Sequence, residues 1–232
     1  MLQPKSFSEF DRFSPVSAGE RTRLTINRLA IASLDENPKP VSLRDEIRGI
    51  HLLTASGYDP SEFLVVLNPA GSLITKSWPI ENYIAFARLW KETANREVKF
   101  LVLGTETILA KARALKSGIG DGVIDLAGKT TPGEAFNIIR RANLVLSEDS
   151  GLMHMAWVAG APTVALFGSS KSSWSRPLGT RSVCLDSSDL ECGECLQPAC
   201  RYGDVRCLTR YTPEFVAETA RKLLTQQTTL QH

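Results

Sequence analysis

The sequence predicts an α/β fold: a Rossmann-like parallel sheet with helices on both faces, preceded by a short, mostly helical segment. Three observations predict it. Short apolar runs rich in β-branched residues, such as Phe63-Leu-Val-Val-Leu-Asn68, have the texture of strands buried on both faces. Segments with helical spacing alternate with those runs from about residue 62 onward. Glycine or proline punctuates most of the junctions between them.

Residues 1–60 carry two helical patterns, near 18–34 and 42–55, which Pro38 and Pro40 keep apart. After the strand at 63–68, a loop leads to Pro79, a helix-start residue. It opens a helix over Ile80–Thr93 with Ile80, Tyr83, Ile84 and Ala87 near helical spacing. Val98–Leu103 reads as a strand, Thr105–Lys116 as a helix closed by Gly118, and Val123–Leu126 as a strand. Pro132–Ala142 follows as a helix, Leu144–Ser147 as a strand, Ser150–Ala159 as a helix closed by Gly160, and Thr163–Phe167 as a strand. A last helix covers about Pro213–Thr225. Strands and helices in this alternation imply right-handed crossovers, hence a parallel sheet, within a domain spanning 61–232. In such sheets ligands sit beyond the carboxyl ends of the strands, so the loops at 69–78, 104–107, 127–133, 148–154 and from Gly168 onward decide the chemistry.

Composition narrows the classes. With 27 Lys+Arg against 25 Asp+Glu the formal charge is +2, and the basic residues are scattered rather than striped, which argues against nucleic acid as a partner. Hydrophobic residues make up 43% and charged residues 22%, near the globular average and away from disordered or fibrous classes. The N-terminal residues mix charge and proline where an export signal needs an apolar stretch. The longest uncharged run, which contains His154 and ends before Lys171, is broken by Gly160, Pro162 and Gly168, so no transmembrane segment is expected. These features lead us to expect a cytoplasmic chain.

Several motifs tempt and fail. Gly128-Lys129-Thr130 resembles the end of a phosphate-binding P-loop, but the required first glycine falls at position 123, which is valine. Gly118-x-Gly120-x-Gly122 precedes a strand, whereas a dinucleotide fingerprint follows one. Asp149, Ser150 and His154 supply the residue types of a hydrolase triad, yet Glu148 occupies the first glycine of the nucleophile elbow.

Two constellations survive. Glu148-Asp149-Ser150-Gly151-Leu-Met-His154 stands at a strand-to-helix junction: Asp149 can cap the helix, and Gly151 admits a ligand to amides at the positive end of the helix dipole. A bare N-cap and a core histidine are the plainer alternative. The loop Asn68-Pro-Ala-Gly-Ser72-Leu-Ile-Thr75-Lys76-Ser-Trp78-Pro79 sets two hydroxyls and an ammonium before another helix. Two donor loops at one sheet edge favour a diphosphate-bearing nucleotide.

These residues resemble glycosyltransferase family 9, the bacterial heptosyltransferases of lipopolysaccharide core assembly. The resemblance rests on Asn68-Pro69-Ala70-Gly71-Ser72, Lys76-Ser-Trp78-Pro79, Gly128-Lys129-Thr130-Thr131, Asp149-Ser150-Gly151-Leu152-Met153-His154, Gly160-Ala-Pro162 and Phe167-Gly168, in the family's order. It implies the C-terminal domain of a GT-B enzyme that binds an ADP-sugar, usually ADP-heptose, and transfers the sugar with inversion to a lipopolysaccharide core or lipid A acceptor. Ser72, Thr75, Lys76, Thr130, Asp149, Ser150, Gly151 and His154 would line the donor site, with Glu106 near the nucleoside and Lys76, Asp149 and His154 closest to the chemistry. No cofactor is required by that scheme. The family's Gly and Ala are exchanged at 70–71, Pro132-Gly133 replaces a leucine-containing turn, and Leu152 stands where proline is common. Residues 1–60 would be a remnant of the acceptor domain and linker, without its aspartate base, so that a separately encoded N-terminal half or a non-catalytic donor-binding role is implied. The location would be cytoplasmic, peripheral at the inner face of the inner membrane.

Four of the five cysteines fall in Cys192-x2-Cys195-x4-Cys200-x6-Cys207. Four thiolates suit a tetrahedral structural zinc, and a zinc-stabilised interaction module is the corresponding rival function; free buried thiols and disulfides are the alternatives. Cys184, in a strand, reads as a small core residue.

Overall fold

The computed structural model describes residues 42–229. The helical pattern at 18–34 lies outside them. Helix α1 (Leu43–Ala55) begins at Ser42, whose hydroxyl accepts the Asp45 amide, and precedes six strands: β1 (Phe63–Asn68), β2 (Val98–Val102), β3 (Val123–Asp125), β4 (Leu144–Glu148), β5 (Thr163–Leu166) and β6 (Ser182–Leu185). Between and after them run α2 (Ile80–Thr93), α3 (Leu109–Ile119), α4 (Pro132–Ile139), α5 (Gly151–Val158), α6 (Ser172–Ser175), α7 (Arg206–Thr209) and α8 (Pro213–Thr229). All strand pairs are parallel, in the order β3-β2-β1-β4-β5-β6. The order reverses between β1 and β4, and that switch point is where a crevice opens.

The alternation of side chains along β1 builds two cores. Val65 and Leu67 face Tyr83, Phe86 and Trp90 of α2, with α3 and α8 completing that layer. Leu64 and Val66 face the opposite layer, where Leu53 of α1 and Ile138 and Ile139 of α4 pack. Because both faces are covered, the strand is apolar at nearly every position, the signal from which it is legible in the sequence.

Three expectations require correction. The domain does not start at 61: α1 belongs to the same body, since Leu53 is 1% exposed within the second core and Arg48 pairs with Glu134 of α4 at 2.9 Å. Gly49 allows this approach, because a Cβ there would lie 2.9 Å from the Glu134 carbonyl oxygen. The third helix ends at Gly120, in the left-handed region at φ 96°, and not at Gly118, which lies inside α3 against Ile84. The helix expected from Thr105 also begins as a separate 3-10 turn, Glu106–Ile108. Among the described residues, no helix is long and apolar enough to cross a membrane.

Candidate functional site

At the carboxyl ends of β1 and β4 lies a cavity of about 620 Å³. Ser72, Glu106, Thr130, Asp149, Ser150 and Gly151 all line it. The two loops that form its rim meet: Lys76 Nζ stands 3.5 Å from Asp149 Oδ2, with both side chains mostly buried. An ammonium held beside a carboxylate at the mouth of a cavity is a cation ready to be shared with an incoming anion.

Ser150, not Asp149, caps α5. Its backbone is extended, and its Oγ accepts the Met153 amide at 3.3 Å, leaving the Asp149 carboxylate for Lys76 and for the Ser175 hydroxyl at 3.4 Å. The hydroxyl is the shorter acceptor and fits the cap, while one more bond lets the carboxylate reach the neighbouring loop. Gly151 opens α5, and a Cβ there would meet no protein atom within 4 Å, so the room belongs to the cavity. Amides at this helix start carry the positive end of the dipole toward the same space.

On the other side, the turn at Gly128, at φ 70°, tucks beneath Glu106, whose Cγ would be 2.7 Å from an added Cβ. Thr130 follows on the cavity wall, and Thr131 closes a reciprocal capping box with Glu134 at the start of α4. Lys129 instead turns back to the Asp125 carbonyl at 2.7 Å, consistent with the rejected P-loop reading.

Three expected members lie off the wall: Lys76, which meets the lining only through its contact with Asp149, and Thr75 and His154. Thr75 is 1% exposed, and its hydroxyl donates to the Gln197 carbonyl at 2.7 Å while accepting from Ser169 at 3.0 Å. It has no hydroxyl left for a ligand, so its assignment as a diphosphate donor is corrected: it anchors the cysteine-rich loop to the loop carrying Lys76. His154 is half-buried on the second turn of α5 and is not among the residues lining the cavity. Burial lowers its pKa from the ordinary histidine value, against the charge of Asp149, so it is neutral at pH 7.

Sequence reasoning missed the groups that hold the rim in place. Asn68, fully buried at the end of β1, donates its amide to Ser147 Oγ at 2.8 Å and Ser150 Oγ at 2.7 Å, tying β1 to the α5 cap across the switch point. Glu148 is also fully buried and accepts the amides of Gly71 and Trp78. Lys111 of α3 reaches the Pro69 carbonyl at 2.9 Å and Ser77 Oγ at 3.1 Å. A carboxylate at the end of an otherwise apolar strand was the available signal for Glu148; nothing local marks Lys111.

Cys192, Cys195, Cys200 and Cys207 line one separate cavity of about 600 Å³. All five cysteines are free, and among the described residues no group of three or more His, Cys, Asp or Glu side chains is placed to hold a metal ion. The four-thiolate zinc cage expected from the spacing is not formed by these side chains as they stand. Cys184 packs beside Met153, Ala165 and Phe167 as a core residue, with its thiol pushed up to about 12 by burial.

With this geometry in hand, comparison with known proteins is informative. The family model for glycosyltransferase family 9 (heptosyltransferase) matches residues 38–206. The lipopolysaccharide heptosyltransferase 1 of Pseudomonas aeruginosa is 26% identical over 247 aligned residues, covering 98% of this chain and 66% of the relative. Among solved structures, a family 9 glycosyl transferase from Veillonella parvula superposes with a TM-score of 0.75 at 19% identity, covering 93% of this chain and 62% of that one. E. coli heptosyltransferase WaaC with ADP superposes with a TM-score of 0.61 at 20% identity, covering 91% and 58%. The chain thus spans two thirds or less of the length of these relatives, and as little as 31% of other curated matches.

Proposed function

The chain belongs to glycosyltransferase family 9, and on that premise we propose that it forms the donor-binding half of a heptosyltransferase, holding ADP-heptose in the cavity at the β1–β4 switch point. The observation that carries this reading is the Lys76–Asp149 pair, which joins the two loops at the cavity mouth at 3.5 Å. The solved structure of E. coli heptosyltransferase WaaC with ADP supports the choice of nucleotide.

In this reading the diphosphate lies between Lys76, Ser72 and the first amides of α5, and the nucleoside extends toward Glu106 and the Gly128–Thr130 turn. Asp149 and neutral His154 stand on the sugar side. As the glycosidic bond breaks, negative charge grows on the β-phosphate oxygen. Lys76 is released from Asp149 toward that oxygen, and the α5 amides already point at it. Such preorganised donors contribute about 3 to 4 kcal/mol each to stabilising the transition state. The scheme draws on protein groups alone. Attack by an acceptor hydroxyl, with inversion, needs a base that this donor half does not supply; we assign it to an acceptor-binding half, with lipopolysaccharide core or lipid A as the acceptor. A cytoplasmic location, peripheral at the inner membrane, goes with this reading and agrees with five free cysteines.

Calorimetric titration with ADP and ADP-heptose tests the proposal. Saturable binding that Lys76→Ala weakens is the expected result. Indifference of the wild-type chain to both ligands overturns it.

A further inference from the structure

One carboxylate governs the shape of the donor loop. Glu148 is the last residue of β4, with 0% exposure. Its Oε1 accepts the Trp78 amide at 2.7 Å, and its Oε2 accepts the Gly71 amide. Those two amides bracket the segment that carries Ser72 and Lys76. From the far side, Lys111 donates to Pro69 O at 2.9 Å, Ser77 Oγ at 3.1 Å and Gly71 O at 3.3 Å, and its ammonium stands 3.9 Å from Glu148 Oε2.

Position 71 has no room for a side chain. A Cβ on residue 71 would meet Glu148 Oε2 and Ser77 Oγ at 2.6 Å and collide with the Lys76 carbonyl oxygen. Only glycine lets the carboxylate close on this amide. The next residue after Glu148 is Asp149, the partner of Lys76, so both members of that ion pair hang from the same buried group.

We propose that Glu148, together with Lys111, is a positioning residue for the donor: its charged carboxylate holds the Gly71–Trp78 segment in the conformation that aims Ser72 and Lys76 at the diphosphate. This inference rests on the reading of the cavity as a donor site. The groups facing the carboxylate are Lys111 from α3, the Tyr83 hydroxyl from α2 and the two loop amides. Burial pushes Glu148 up to about 7, against the pull of Lys111 and the amides. Protonation turns one accepting oxygen into a donor facing an N–H, so the clamp loosens as the pH falls through neutrality.

The test compares ADP with adenosine, which lacks the diphosphate, in wild-type, Glu148→Gln, Lys111→Met and Lys111→Arg proteins across the neutral pH range. Wild-type affinity for ADP falls below neutral pH, while adenosine affinity does not. Glu148→Gln weakens ADP about tenfold above neutrality, the size of one charge-assisted hydrogen bond, and removes the pH dependence. Lys111→Met weakens ADP in the same direction, and Lys111→Arg restores it. Adenosine affinity, unchanged in all four, shows that the fold is intact. The inference is overturned if Glu148→Gln binds ADP as the wild type does, or if adenosine and ADP weaken in equal proportion. A wild-type chain that ignores ADP sinks the donor reading itself, and this inference with it.

Discussion

Thr75→Val removes one hydroxyl while keeping the branched shape of the side chain, and its neighbour Lys76→Ala removes one charge. The structure assigns these adjacent residues opposite consequences. Thr75 is 1% exposed, and its hydroxyl bridges the Gln197 carbonyl at 2.7 Å and the Ser169 hydroxyl at 3.0 Å. Valine leaves both partners unsatisfied. Gln197 is exposed enough for water to replace the bond, but Ser169 is 1% exposed and has no such recourse. The cost is about 2 kcal/mol, dominated by the stranded buried group. In a domain of this size that lowers Tm by about 4 to 8 °C. The affinity for ADP should stay within about threefold, because no atom facing the cavity changes. Lys76→Ala inverts the pattern. Its ion pair with Asp149 is partly open to solvent, so its loss costs stability no more than about 1 kcal/mol. Without the ammonium, the Asp149 carboxylate faces the diphosphate uncompensated, and ADP binding weakens by about 1.5 to 3 kcal/mol, or about 10- to 150-fold. Adding Asp149→Asn to the Lys76 variant should recover part of that loss. Urea denaturation and titration calorimetry on the same preparations measure both quantities. The reasoning is refuted if Thr75→Val loses ADP more than tenfold at unchanged stability, or if Lys76→Ala binds ADP like the wild type.

Other consequences can be checked independently. A Cβ on Gly168 would collide with the Thr75 carbonyl oxygen and press on Leu208, so Gly168→Ala should destabilise by about 3 kcal/mol or more in denaturant titration, and a variant as stable as the parent would contradict the packing. Amides of Tyr202, Val205 and Gly203 lower the Cys200 thiol, while burial holds Cys184 near 12. Iodoacetamide at pH 7.5 should therefore label Cys200 early and Cys184 last, as followed by peptide mass spectrometry; the reverse order would be inconsistent with both environments. Glu148 titrates near 7 in the folded protein against an ordinary value of 4.5, so the folded state holds a proton that the unfolded state has released between these values. Stability should therefore fall as pH rises through that window, and Glu148→Gln should flatten the slope; an unchanged slope would assign it to another group.

The sequence by itself determined most of the elements and the covering of the sheet on both faces. Residues 63–68 read as a strand because a strand covered on both faces must be apolar almost throughout, and that constraint is local. Pro79 and Pro132 mark helix starts through their fixed φ, and the loops at 69–78 and 148–154 were identified as the functional rim from their place in the strand-helix alternation alone. Tertiary structure decided which side chains in those loops face the cavity. Ser72 and Thr75 offer the same hydroxyl chemistry, and only the 3-10 turn at Ile74–Lys76 with the cysteine-rich loop packed on it turns one outward and buries the other. It also decided that Ser150 rather than Asp149 caps α5, that α1 joins the domain, and that four cysteines with metal-like spacing line one hollow. Glu148 and Lys111 lie 37 residues apart, yet their charges meet beneath one loop. Local pattern sets backbone conformation because its forces act within a few residues, whereas the direction of a polar side chain depends on partners that the chain brings together only when it closes on itself.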